Sequence, residues 1–306
     1  MTAITNCPAC SLPLEPDESL GRHFVTLSDR NDVQHIMWLN HNISTERKGI
    51  GELDALLRDF LDVSEKGLAS WIKVRFIERF YGEKPHPFIL ALQHPSRAVL
   101  LGYVLEHQHF LKQWARTLSW VVAKSDLDEV LDLELENITT EFVGYGSEKP
   151  SHYELLIRMG ESLGMSRPTI LSTPPSPVTV AALRVWQETG ETRHWLETMA
   201  AMHALELVAN RDIRRDGAAM TYFDPRILDG SEVTQATKEF LMEGYEADVK
   251  HSEIPLALVE RLAPSIGIVA DIQFTVLRSI DAFDRYLSAR LERAMEFEPG
   301  LARFIM

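Results

Sequence analysis

Carboxylates and imidazoles recur in this chain where helical runs begin, end or turn tightly packing faces toward one another. Glu141 closes one helical run, a loop broken by Gly144 and Gly146 follows, and a new helix opens at His152. An acid and an imidazole therefore meet where two helices meet. Asp248 and His251 stand three apart and share one helical face. Glu206 lies in an alanine- and methionine-rich helix, with His203 one turn before it, and burying a carboxylate there is costly unless something cationic meets it. Glu106 and His109 are a further pair one turn apart, a spacing that suits a metal but is also common on surface helices. A set of carboxylates and imidazoles without thiolate suits non-haem iron or manganese better than structural zinc. Helical bundles build such sites from side chains on facing helices.

The elements that must position these residues are helical. Ser96 caps a long helix running to about Lys124, Asp126 to Glu129 open the helix that ends near Glu141, and Ser151 caps the helix of His152. Arg167 to Pro177 holds four prolines and is expected to be a stiff, irregular connector. Helices are expected over Val178–Glu188, from Thr192 through the Glu206 segment, from Ser231 past His251, and from Ile266 to about Glu298. Apolar spacing in Leu53 to Leu61 and in Ser70 to Tyr81 marks an amino-terminal helical region, with His35 and His41 as ordinary polar positions. The expected organisation is an all-α chain: a flexible tail over 1–20, a helical extension over 21–90 and a helical bundle over 91–306. Cys7 and Cys10 have the spacing of half a zinc knuckle. With no second cysteine pair and His23 an isolated candidate, they are read as two free thiols on the tail.

The pattern Asn137-x-x-x-Glu141-x-x-Gly144-x-Gly146, followed by His152-x-x-Leu155, resembles the haem-oxygenase-like diiron oxidases, a branch of the superfamily that also holds the TenA and PqqC proteins. The resemblance covers about 96–297. It implies a haem-oxygenase-like bundle and an iron site with Glu141, His152, Glu206, Asp248 and His251 as ligands, and Glu106 and His203 as further candidates. Two irons per chain would activate O2 to oxidise a small amine- or amino-acid-derived molecule, by N-oxygenation, oxidative C–C cleavage, desaturation or decarboxylation. Natural-product biosynthesis is the expected setting, with an external electron donor as a further expected partner. The family's helix carries His-x-x-x-Asp-x-x-His, whereas this chain has Gly244-x-x-x-Asp248-x-x-His251. His203 or Glu106 filling the vacancy, a site that loads only with substrate, and a single-metal site are the three readings of that glycine. The alternatives for the whole chain are a metal-free TenA- or PqqC-like enzyme and a non-catalytic helical interaction protein. Thiaminases of the TenA kind use a core cysteine, and the cysteines here are Cys7 and Cys10 alone.

Bulk composition narrows the partners. At 306 residues and net charge −14 the chain can bury a large core but has no electrostatic case for nucleic acid or an anionic membrane. No apolar run is long enough to span a bilayer, and the first residues lack the pattern of a signal peptide, so a cytoplasmic protein is expected; the helical extension over 21–90 is expected to pair subunits as a homodimer.

Overall fold

A computed structural model describes residues 6–146, 149–231 and 233–305, with the side chains of 246–250 outside the description. Among the described residues the architecture is all-α. An isolated backbone bridge between Asn6 and Pro13 is its one extended pairing. No helix there is long and apolar enough to cross a membrane.

Helix α6 (Arg97–Lys124) is the axis of the bundle. Ser96 caps it by accepting from Val99 N, and every position from Ala98 to Gln108 is buried. A helix apolar on all sides belongs at a centre, with other helices around it. Along α6 pack α13 (Val269–Met295), α10 (Pro177–Thr192), α11 (Trp195–His203), α7 (Asp128–Ile138) and α8 (His152–Ser162). Helix α12 (Gln235–Ile266) crosses α8 and α11 and closes the site side of the bundle. Phe110, Trp186, Phe283 and Tyr286 form the aromatic heart between α6, α10 and α13. Each such side chain stabilises the fold by roughly 1.5–3 kcal/mol through burial.

Several boundaries differ from the sequence expectation: the helix expected from Thr192 begins at Trp195, and the one expected from Ser231 begins at Gln235. The proline-rich stretch is not wholly irregular: Ser166 caps a short helix, α9 (Arg167–Ser172), with Pro168 in its first turn, where a missing N–H costs nothing. The helix expected over Val178–Glu188 runs from Pro177 to Thr192, past Gly190. The last helix begins at Val269, because Gly267 takes φ +83 and stops α12.

Ahead of the bundle come α1 (Leu20–Asp29), α2 (Val33–Asn42), α3 (Ile50–Leu61), α4 (Leu68–Tyr81) and the short α5 (Pro87–Leu92). A run of edge-on and tilted rings, Phe24–Trp38–Phe60–Trp71, joins the first three helices to α4. Helix α4 in turn packs on α12 and α13.

Candidate metal centre

Glu141 sits where the backbone departs from α-helical geometry. Helix α7 gives way at Thr139 to a π-helical turn, Thr139–Val143, that carries Glu141. Such turns widen the ladder and re-aim a side chain, and they recur at functional sites. The chain then reverses at Gly144, whose φ is +79. A Cβ there would lie 2.7 Å from Ser151 N, so glycine is required where α8 begins. This reversal brings His152 back onto Glu141: His152 Nδ1 donates to Glu141 Oε2 at 3.0 Å.

Glu206 also stands on a non-α turn, the 3-10 segment Ala204–Val208 that follows α11. Its Oε1 accepts from Asn137 Nδ2 at 3.0 Å, and Asn137 Oδ1 accepts from Trp114 Nε1 at 2.8 Å. Its Oε2 accepts from His203 Nδ1 at 2.8 Å, while His203 Nε2 donates to Glu134 at 3.1 Å. Burial works against a charged His203, but the carboxylates of Glu134 and Glu206 outweigh it and raise its pKa to about 10. His203 thus uses both ring nitrogens to hold two carboxylates.

His251, on α12, brings Nδ1 to 3.7 Å from Glu206 Oε1 and 3.9 Å from Glu141 Oε1. Glu243 Oε2 lies 3.9 Å from His152 Nδ1. Three buried atoms in this group have no hydrogen-bond partner among the described residues: His152 Nε2, His251 Nδ1 and Glu243 Oε2. Burial opposes the Glu141 charge, yet His152 and His251 hold its carboxyl below the usual range. Burial raises that of Glu243. Glu141, His152, Glu206 and Gly244 line one cavity of about 60 Å³, walled by Phe110, Trp114, Phe223 and Phe240 and by Arg290. Carboxylate oxygens and imidazole nitrogens without thiolate are the donor types of non-haem iron or manganese, though among the described residues these ligand atoms are not gathered within 4.8 Å of one another as those of Cys7, Cys10, His23 and His35 are.

A family model described as TENA/THI-4/PQQC matches residues 71–294, which span α4 to α13. The chain belongs to the TENA/THI-4/PQQC family. Solved structures agree on the fold at low identity. A protein from Shewanella denitrificans, described as a domain of unknown function with a heme oxygenase-like fold, superposes with TM-score 0.54 and 17% identity over 76% of this chain and 92% of that one. A TenA family transcription regulator from a Silicibacter species gives 0.54 and 17% over 74% and 96%. A TenA homolog from Pseudomonas syringae gives 0.54 and 15% over 81% and 98%. Among curated proteins no sequence matches. A second family model, a C2H2 type zinc-finger in one copy, matches residues 4–62.

Within this member of the family, four of the residues singled out in the sequence come together: Glu141, His152, Glu206 and His251. Asp248 lies among the side chains outside the description. Glu106 does not join them. Its Oε1 accepts from Arg293 Nε at 2.7 Å and its Oε2 from Ser176 N at 3.1 Å, an ion pair that anchors the α9–α10 link. His109 is spent on the Thr173 carbonyl, at 2.9 Å. His203 holds carboxylates rather than filling the place of Gly244. The sequence reading missed Glu134 and Glu243. Glu134 stands a helical heptad before Glu141, and that spacing was the available signal.

The amino-terminal cysteines are a second correction in their placement: both are free of disulfide, but Cys7 is fully buried rather than exposed on a tail. Cys7 Sγ lies 3.4 Å from His35 Nε2, Cys10 Sγ 3.7 Å from His23 Nε2, and the two Nε2 atoms 3.3 Å apart. All four ligand atoms fall within 4.8 Å of one another. The other ring nitrogens bond carboxylates: His35 Nδ1 to Asp32 at 2.7 Å and His23 Nδ1 to Glu18 at 3.3 Å.

Proposed function

We propose that this chain is an O2-dependent non-haem iron oxidase or oxygenase that acts on a small amine- or amino-acid-derived molecule, with two irons per chain. Glu141, His152, Glu206 and His251 would hold the metal, and Asp248 and Glu243 stand on the same helix as His251. The observation that carries this reading is the pair of buried imidazole nitrogens, His152 Nε2 and His251 Nδ1, that find no partner among the described residues and lie beside two carboxylates. Each unpaired buried polar atom costs about 1–3 kcal/mol. Two in one group support a bound metal as their common partner.

Bound iron would supply O2 activation and electron transfer. The chain's own residues do the remainder. Asn137 and His203 fix the Glu206 carboxylate, Glu134 fixes His203, and Trp114 fixes Asn137. Such outer hydrogen bonds orient ligands and tune the metal. Oxygen uptake by Fe(II)-loaded protein with amino acids and amines tests the reaction. Iron-dependent uptake that falls at least about tenfold in His251→Ala is expected. Uptake that is unchanged in that variant removes the assignment.

The amino-terminal cluster supports a second metal of another kind. We propose structural zinc on Cys7, Cys10, His23 and His35. A tetrahedral zinc with ordinary bond lengths has S–N edges of about 3.5 Å and N–N edges of about 3.3 Å. The observed separations of 3.4, 3.7 and 3.3 Å match. Four protein ligands leave no open position, so the role is structural. Asp32 and Glu18 orient the two imidazoles. The chain's acidity argues against nucleic-acid reading by this module. One zinc per chain by elemental analysis, lost in Cys7→Ser, is the expected result.

A further inference from the structure

Among the described residues Arg290 is a buried cation with no carboxylate partner. Its side chain, on α13, lines the cavity of the candidate metal centre and is 1% exposed. Nη1 donates to the Tyr222 hydroxyl at 2.6 Å, and Nη2 to the Tyr286 hydroxyl and to His107 Nδ1, each at 2.7 Å. The guanidinium also lies over the rings of Tyr103 and Tyr286, at 4.2 and 4.4 Å from their centroids. Among the described residues no carboxylate forms an ion pair with it, and its Nε has no partner. Burial raises the phenols of Tyr103 and Tyr286, so neither serves as a counter-anion. His107 is neutral: burial and the neighbouring guanidinium both lower its pKa.

A guanidinium kept out of water without a counter-charge is costly, and proteins usually pair it or replace it with apolar groups. Hydroxyls and rings position this one, and among the described residues no carboxylate stands beside it. One imidazole separates it from the metal centre, since the rings of His107 and His152 are 6.3 Å apart. Phe240 lies over His152 at 4.4 Å and against Tyr103 at 5.4 Å, which gives an apolar floor between the two ends of the cavity.

We infer that Arg290 anchors the carboxylate of a small carboxylic acid whose carbon chain lies along Phe240 toward His152. The inference deepens the proposed oxidase reading and rests on it for the word substrate, though the binding itself needs no iron. Arg290 sets which end of the molecule enters, and so which carbon or nitrogen reaches the metal. The cavity limits the molecule to a few heavy atoms beyond its carboxylate. Bidentate or charge-assisted bonding to a guanidinium is the strongest recognition available for that group.

The test uses iron-free protein, because a carboxylate can also bind iron directly and hide the contribution of Arg290. Butyrate and its uncharged isostere butyramide are titrated by calorimetry, with chloride as an inorganic control. Butyrate is expected to bind at least about tenfold more tightly than butyramide. Arg290→Gln is expected to abolish that preference and Arg290→Lys to keep part of it. Should the variants fail to fold, the 15N resonance of Arg290 Nε in the unaltered protein is the second readout, expected to shift with butyrate and not with butyramide. Equal binding of acid and amide, equal protection by chloride, or a preference that survives in Arg290→Gln would each overturn the inference. Failure of iron to load would count against the oxidase and leave this result untouched.

Discussion

A Cβ placed on Gly244 would lie 3.2 Å from Cε1 and 3.5 Å from Nε2 of His152. The glycine that departs from the resembled motif therefore leaves open the flank of the one His152 nitrogen that has no partner. His152 has little room to yield, held by Glu141 on one side and by Phe240 on the other. Replacing glycine by alanine inside a helix is worth about 0.5–1 kcal/mol. The tight approach to His152 offsets much of that. Gly244→Ala is expected to keep its melting temperature within a few degrees of the unaltered protein while binding less iron. Thermal unfolding and metal analysis of one preparation check both halves.

Asn137 offers a sharper separation of support from ligation. It joins Trp114 to Glu206, so Asn137→Ala strands the indole N–H and frees one carboxylate oxygen. A loss of about 1–3 kcal/mol in denaturant unfolding is expected. Iron affinity should fall by roughly 10–100-fold, the usual cost of removing an outer hydrogen bond to a ligand. Unchanged iron affinity would place Glu206 outside the metal's reach.

His35 and His41 look alike in the sequence, on one helix in a polar setting. The proposed zinc site separates them: His35→Ala should lose zinc and His41→Ala should retain it. The first variant should also unfold at lower temperature, since a structural metal contributes directly to folding. Zinc retained in His35→Ala would contradict the ligand set.

The difference between these two histidines shows where the sequence was opaque. Helix caps, the Glu141–His152 reversal and the gathering of Glu206 and His251 were legible, because each follows from local spacing or from a motif. The partnership of His35 with Cys7 depends on how α1 and α2 fold back on residues 6–13, and sequence separation does not encode that packing. Glu106 failed for a related reason. Its spacing to His109 was right for a metal pair, but Arg293, 187 residues away, claims the carboxylate. Pro168 misled in the opposite direction, since a proline at the first turn of a helix is permitted where one in its middle is not.

Acid should loosen the attachment of the amino-terminal helices. Asp281 on α13 accepts from Arg79 of α4 at 2.5 Å and lies near His41 of α2. Burial opposes its ionisation, but the His41 contact and the Arg79 charge outweigh this and hold the carboxyl below its usual range. A depressed folded value means that the stabilisation is complete above the unfolded value of about 3.9 and is lost as pH falls through the folded value. Asp281→Asn is expected to cost about 1–3 kcal/mol near neutral pH. That difference should shrink below about pH 4, as the native aspartate also protonates. Urea unfolding at two pH values measures it.

The most direct test of the central claim is iron stoichiometry after anaerobic Fe(II) loading, followed by absorbance on mixing with O2. About two irons per chain and an O2-dependent change in the visible spectrum, both lost in His152→Ala and His251→Ala, are the predicted result. Protein that binds no iron under these conditions, with and without small carboxylic acids and amines, would contradict the account.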